Sequence, residues 1–542
     1  MTSNSTLYIG GRIRTGDPLL PSATTMLVSG GRVVALGFTE PHDVPAGTVV
    51  RDLGGATVLP GFIDAHVHPL MGGLQLLATG FAGIQSVEGY WAELRRLDAV
   101  TPPGEWIVAA GYSAVLVARE RITRRELDAV IGDRPVLMVN SDLHGGLANT
   151  VALRAAGLLD SQEFSSEYVE RGDDGAPNGL VNEEAMARVM SFSPPPSEAV
   201  AEKALLEAQA HLHSLGVVGW QDALLGDKHG GEDPTARYLA LDAAGRITAR
   251  VSGAIGWDRA RGVEQVPDIL EHARAFTGAR LSAPAVKILL DGVHEAGTAS
   301  MLAEYNDAAG RPLGNSGPTM IEPGLLDEAL VALDAAGLDV HIHALGDRAV
   351  RDALDAVDAA RHANGHRGTR HQVAHVTFID PSDVPRFREL DVTANAQLIW
   401  VADDFLDFAQ YEIFVGPERR ARQSALAEWD AAGFRWSAGS DWPVSSAAPL
   451  DAITAGSRRR IHGDGPTGPL WQRLPATRII DAYTSGSAFT SRLDDNGVLR
   501  AGSHADFVLL DRDPAGPGPA NESTVLETVV AGETVYAADS MP

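Results

Sequence analysis

The sequence predicts an α/β protein whose central part carries the eight strands needed to close a (β/α)₈ barrel, flanked by a small β-rich domain drawn from both chain ends. Three observations predict it. Between residues 58 and 489, short apolar strands alternate with amphipathic, alanine-rich helices, the pattern of βα units and a parallel sheet. The two ends, 1–57 and 490–542, read instead as short strands separated by glycine turns, one composite domain. The interval 70–195 is too long for a single βα connection and reads as an insertion within the barrel domain, after its first strand.

Taken in order, the first strands are expected at 6–9, 25–28, 32–36 and 48–52, punctuated by Gly-Gly pairs at 10–11, 30–31 and 54–55. Barrel strand 1 is expected at 58–65. The insertion carries one strand, 135–140, and helices at 86–100, 124–130 and 149–156. The other seven barrel strands are expected at 217–221, 248–253, 285–290, 339–343, 371–375, 392–396 and 434–438, with helices at 197–214, 324–336, 347–364 and 383–390 between them. Strands at 505–510, 525–530 and 534–536 close the chain.

Composition excludes several functions. The formal charge of −27 argues against nucleic acid or an anionic membrane surface as partner. With no cysteine, disulfides, thiolate metal sites and a cysteine nucleophile are all ruled out, so a metal must be held by His, carboxylate or a modified side chain. No apolar run approaches a membrane span, and residues 1–10 show no basic region followed by a long apolar one. A cytoplasmic enzyme is the default expectation.

The candidate chemistry begins in Leu59-Pro60-Gly61-Phe62-Ile63-Asp64-Ala65-His66-Val67-His68. Residues i and i+2 on a strand share a face, so His66 and His68 project together at the strand end. Alone, this pair among 17 histidines says little. Chemistry in a (β/α)₈ barrel sits at the C-terminal strand ends, and four more strands offer groups there. Lys287 lies on strand 4, His343 ends strand 5, His375 ends strand 6 and Asp441 follows strand 8. A lysine in an apolar strand is costly unless paired or neutralised. The bland alternatives stay open: His343 as a core histidine, Asp441 as a helix cap.

As a set, these motifs resemble the amidohydrolase superfamily, more narrowly the amidohydrolase-3 group that includes the YtcJ-like proteins and N-substituted formamide deformylases. The matching stretches are the one around His66-Val67-His68, Val286-Lys287 with Asp291-Gly292, Thr298-Ala299, His343-Ala344-Leu345-Gly346-Asp347, His375, Gly439-Ser440-Asp441-Trp442-Pro443-Val444 and Gly502-Ser503-His504-Ala505-Asp506-Phe507-Val508; inside the insertion, 142–153 and 177–185 match as well.

The resemblance implies a distorted (β/α)₈ TIM barrel, a small β-sandwich from both termini and the insertion. It implies two divalent metal ions, zinc being the leading choice. His66, His68 and Asp441 would hold one, His343 and His375 the other, and a carbamylated Lys287 would bridge them. A metal-bridging hydroxide would attack a carbonyl while Asp441 serves as general base and then acid. The substrate would be a small neutral amide; assembly as a homodimer or higher oligomer is common in the group. Cyclic amide or imide opening, ester or lactone cleavage and deamination are the alternatives, and a catalytically idle scaffold is a further one. Deamination is disfavoured because the His-x-x-Glu of mononuclear deaminases has no counterpart after His343.

His144 and Glu183 match a histidine and a glutamate of the group, His144 as a donor to the developing oxyanion and Glu183 on the substrate side. Trp442, Gln397 and His294 are further substrate-side candidates. Val293-His294-Glu295-Ala296-Gly297 and the proline-free Gln397-Leu398-Ile399-Trp400 depart from the group's usual pattern, which bears on substrate identity. The mixed aromatic and acidic stretch 400–408 is read as a pocket wall or lid, or equally as a solvated helix.

Overall fold

The computed structural model describes residues 5–37, 44–77, 80–81, 83–140, 145–166, 168–226, 233–294, 296–307, 309–402, 414–463 and 470–538. They fall into two compact units: Met1–His68, Gln209–Leu224 and Tyr238–Pro542 in one, Pro69–Ala208 and Leu225–Arg237 in the other.

The first unit is built on an eight-stranded parallel sheet whose strands are ordered as in the sequence. They are β1 (Phe62–Val67), β2 (Val217–Leu225), β3 (Arg250–Gly256), β4 (Leu281–Leu289), β5 (Asp339–Ala344), β6 (Gln372–His375), β7 (Thr393–Ala396) and β8 (Trp436–Ala438). Each is almost wholly buried, as expected where helices cover a parallel sheet. The register pairs Lys287 with His341 and Ala344 with His375.

β1 and β8 are the free ends of this ladder, and hydrogen bonds just past the strands fasten them into a nearly closed barrel. Asp441 N–H donates to His66 O (2.7 Å) and His68 N–H to Trp442 O (2.9 Å). Ser440 N–H donates to Asp64 Oδ1 (2.9 Å).

The expected strand 58–65 is in fact two. Thr57–Pro60 pairs antiparallel with Phe507–Leu510, while β1 pairs with β2. Gly61 is the pivot: its N–H donates to Asp506 O, and the next N–H, of Phe62, to Gly216 O. A Cβ at Gly61 would lie 2.3 Å from Val218 Cγ1, so only glycine lets the chain pass from one sheet to the other here.

The chain ends form two further sheets. A six-stranded one joins N-terminal and C-terminal strands, and a four-stranded one is N-terminal only. They share buried side chains, among them Tyr8, Met26, Val33, Val58, Phe507 and Val529.

The second unit carries a five-stranded sheet, Val169–Arg171, Pro177–Asn182, Gly145–Ala148, Val136–Asn140 and Ile107–Tyr112, where one strand was expected. The four unforeseen strands are short or carry Gly and Asn, residues that weaken any local strand signal. No helix among the described residues is long and apolar enough to cross a membrane.

Candidate metal centre

The site is built where β1, β4, β5, β6 and β8 end. His66, within β1, and His68, one residue past it, hold their rings 5.4 Å apart. Both Nε2 atoms face one carboxylate oxygen: Asp441 Oδ1 lies 3.3 Å from His66 and 3.2 Å from His68. These three side chains form a group able to hold a metal ion. Lys287 Nζ, from β4, is 3.3 Å from His66 Nε2. The His375 ring lies 4.8 Å from that of His66 and 4.5 Å from that of His343.

Local backbone delivers these groups at a cost. His375 has φ 74° and Asp441 φ 56°, the left-handed region that non-glycine residues seldom occupy. Such strain persists where surrounding structure holds it, typically at functional sites.

Electrostatics follow from burial. Desolvation lowers the Lys287 ammonium to about 8, against the raising influence of Asp441. The uncharged amine is therefore a far larger minority near neutral pH than for an exposed lysine. Burial alone would raise the Asp441 carboxyl; the His68 hydrogen bond, together with the charge that His375, His68 and Lys287 carry when protonated, outweighs it and holds the acid at about 2. Burial likewise keeps His66 and His375 neutral, the state in which imidazole is a ligand. Asp64 is pushed up to about 7, chiefly by burial, although Ser440 and His66 N–H groups bond to it.

Fit to a metal can be judged from the donors themselves. His375 is 3% exposed, yet neither ring nitrogen has a hydrogen-bond partner among the described residues. An orphaned buried imidazole costs roughly 1–3 kcal/mol unless something outside the chain satisfies it. His343 is oriented differently. Its Nδ1 lies 3.1 Å from Asp291 Oδ1. Asp291 is itself pinned by the N–H groups of Ser300, Leu345 and Gly346. This is the carboxylate–histidine pairing that orients metal ligands.

The other predicted residues are placed as follows. Trp442 is buried, its ring 5.1 Å from that of His211. Gln397 follows β7 and donates to Asn395 Oδ1 (3.2 Å). His294, beyond β4, is buried edge-on to Phe378 at 4.9 Å. Glu183 opens the helix Glu183–Met190 of the second unit. His144 lies outside the described residues, as do Glu295 and 403–408.

Sequence reasoning named three partners without foreseeing their contacts. Trp400 stacks on His375 at 5.2 Å and an interplanar angle of 4°. Asp291 was seen only as part of a motif. His341 was seen only as a neighbour of His343; its Nε2 is 2.9 Å from His66 Nδ1. A readable signal existed, since Gln221, Gln372 and Asn395 interrupt otherwise apolar strands beside it.

Residues 49–536 match the model of the Amidohydrolase family. The chain is 28% identical to Protein LONG AFTER FAR-RED 3 of Arabidopsis thaliana, over 98% of this chain and 91% of that protein. It is 27% identical to an N-substituted formamide deformylase of Arthrobacter pascens, over 98% of each. A metal-dependent hydrolase of Pyrococcus horikoshii has the same fold, with a TM-score of 0.74 at 24% identity, covering 96% of this chain and 99% of that one.

Proposed function

This chain belongs to the amidohydrolase family, hydrolases of carbon–nitrogen bonds, and from that premise we propose that it cleaves a small neutral amide of the N-substituted formamide type at a centre of two divalent metal ions. The observation that carries this reading is His375, a buried imidazole with neither nitrogen hydrogen-bonded among the described residues, set beside His66 and His343. The relative named as a formamide deformylase supports the substrate class.

In this reading His66, His68 and Asp441 would hold one ion, His343 and His375 would hold the other, and a carbamylated Lys287 would supply oxygen donors to both. The lysine's lowered pKa, about 8, supports carbamylation, because only the free amine adds carbon dioxide. Zinc suits a set of imidazole and carboxylate donors without thiolates. Bound divalent ions supply Lewis acidity, bringing the pKa of water toward neutrality and polarising an acyl oxygen.

The chain's own groups do the rest. Asp441, ionised at neutral pH, accepts the proton of the attacking water. The same carboxyl then returns that proton to the departing amine nitrogen. Trp442 and Gln397 border the substrate, with His294 as a further contact. The same reading treats 1–57 with 490–542 as a β-sandwich and 58–489 as the barrel domain, 70–195 being its insertion; the side chains shared by the two terminal sheets support the sandwich, and the pairing of Thr57–Pro60 with Phe507–Leu510 carries its N-terminal part on to residue 60.

Metal analysis of the purified protein should find about two divalent ions per chain, and chelation should abolish hydrolysis. One ion would overturn the bridging lysine, and none the whole centre. Assays on N-substituted formamides, N-acyl amines, hydantoins and lactones then test the substrate. Turnover confined to lactones, or none by metal-loaded protein, would remove the amide reading.

A further inference from the structure

We infer that a directed hydrogen-bond relay beneath the site sets the tautomer of His66, with His341 as the positioning residue that keeps His66 Nε2 free to bind a metal. The inference rests on the metal-centre reading above and adds residues that it does not include.

The relay starts at a group whose role is not negotiable. Ala65 O can only accept, and Asn395 Nδ2 lies 2.9 Å from it, so that end of Asn395 is the donor. The same Nδ2 is 2.8 Å from Gln372, which must present Oε1 there. Gln372 Nε2 is then left to donate to Gln221 (2.8 Å), so Gln221 turns its Oε1 inward. Only a donor can share that oxygen from the other side. His341 Nδ1, 2.8 Å away, therefore carries a proton.

All four residues, Asn395, Gln372, Gln221 and His341, are fully buried. A second proton on His341 would place an unpaired cation in that interior, an expensive state. His341 Nε2 is thus an acceptor. His66 Nδ1, 2.9 Å away, must be the donor, and the lone pair of His66 falls on Nε2. Nε2 is the nitrogen that faces Asp441 and Lys287. Reversing Gln221 would set donor against donor at Gln372. That explains why its Nε2 remains without a partner among the described residues instead of turning inward.

The relay begins on the β1 backbone and returns to a β1 side chain after crossing β7, β6, β2 and β5. It fixes one ligand's tautomer in advance, an arrangement whose loss elsewhere costs 10–100-fold in metal affinity.

Two measurements decide it. In full-length, metal-free protein labelled with ¹⁵N-histidine, His66 (assigned by loss of its signals in His66→Asn) should be protonated at Nδ1 and bare at Nε2. The opposite tautomer overturns the relay. Zinc affinity, read by chelator competition, should fall roughly 10–100-fold in His341→Phe. His341→Gln keeps an acceptor toward His66 and a donor toward Gln221, and should stay within a few-fold of the parent. A folded His341→Phe that binds zinc like the parent makes His341 mere filling. If His341→Phe does not fold, the tautomer of the parent still decides. A parent that holds no metal refutes the centre alone, because the tautomer is read without metal.

Discussion

Asp441 combines three properties that normally exclude one another. It is 6% exposed, ionised far below its usual range, and at left-handed φ. The backbone is forced there because its N–H must reach His66 O while its carboxylate turns to the two Nε2 atoms of His66 and His68. Asp441→Asn keeps the shape and the backbone bond but can neither carry the charge nor take a proton. Steady-state kinetics should show kcat lower by about 10²–10⁴-fold, the usual worth of a positioned acid–base group. Activity within tenfold of the parent would mean that another group moves the proton.

At the scale of elements, everything hangs on the β1–β8 seam, because it brings Asp441 to the histidines. Gly439 makes the seam possible: a Cβ there would sit 2.6 Å from both the Cβ and the backbone nitrogen of His66. Gly439→Ala must therefore push β8 away from β1. Overpacking of this kind typically costs about 1–3 kcal/mol, and thermal unfolding should show a lowered Tm together with reduced bound metal. An unchanged Tm with full metal would show that the seam yields freely. Sequence pattern located these elements well, because apolar strands alternating with amphipathic helices leave a local periodic signal. Arg124–Val130 and Asp347–Asn364 fall at their expected bounds, and all eight barrel strands lie within a few residues of theirs. What it missed was non-local. The break at Gly61 depends on Val218 across the sheet, and the roles of His341, Gln221 and Gln372 exist only once strands far apart in sequence are neighbours. The His66-Val67-His68 pair was visible, whereas Trp400 against His375 was not, since the stacking partner sits beyond the next strand.

The whole molecule keeps several of its histidines buried and neutral, and this dictates how it should respond to acid. His213 is the clearest case because it lies apart from the metal ligands and ties three regions together. Its ring bonds Val217 O (2.8 Å), at the start of β2, and Thr248 Oγ1 (2.8 Å), just before β3. Its carbonyl accepts from Thr528 of the C-terminal sheet (2.6 Å). Desolvation lowers its pKa to about 4, opposed by the bond to Val217. An unfolded chain protonates the same group near 6.5, so between those values the unfolded state binds more protons and stability falls as pH falls. The contribution is complete above about pH 6.5 and is lost progressively toward pH 4. Each tenfold difference in proton affinity between the folded and unfolded chain is worth roughly 1.4 kcal/mol, so this histidine contributes about 3 kcal/mol. Urea titrations from pH 7 to 4, with chelator present so that metal release does not enter, should show the parent losing about that much more stability than His213→Gln, which no longer titrates there. Parallel pH profiles would move the acid sensitivity elsewhere, to the buried histidines beneath the site, where His341 and His371 are also held neutral by burial.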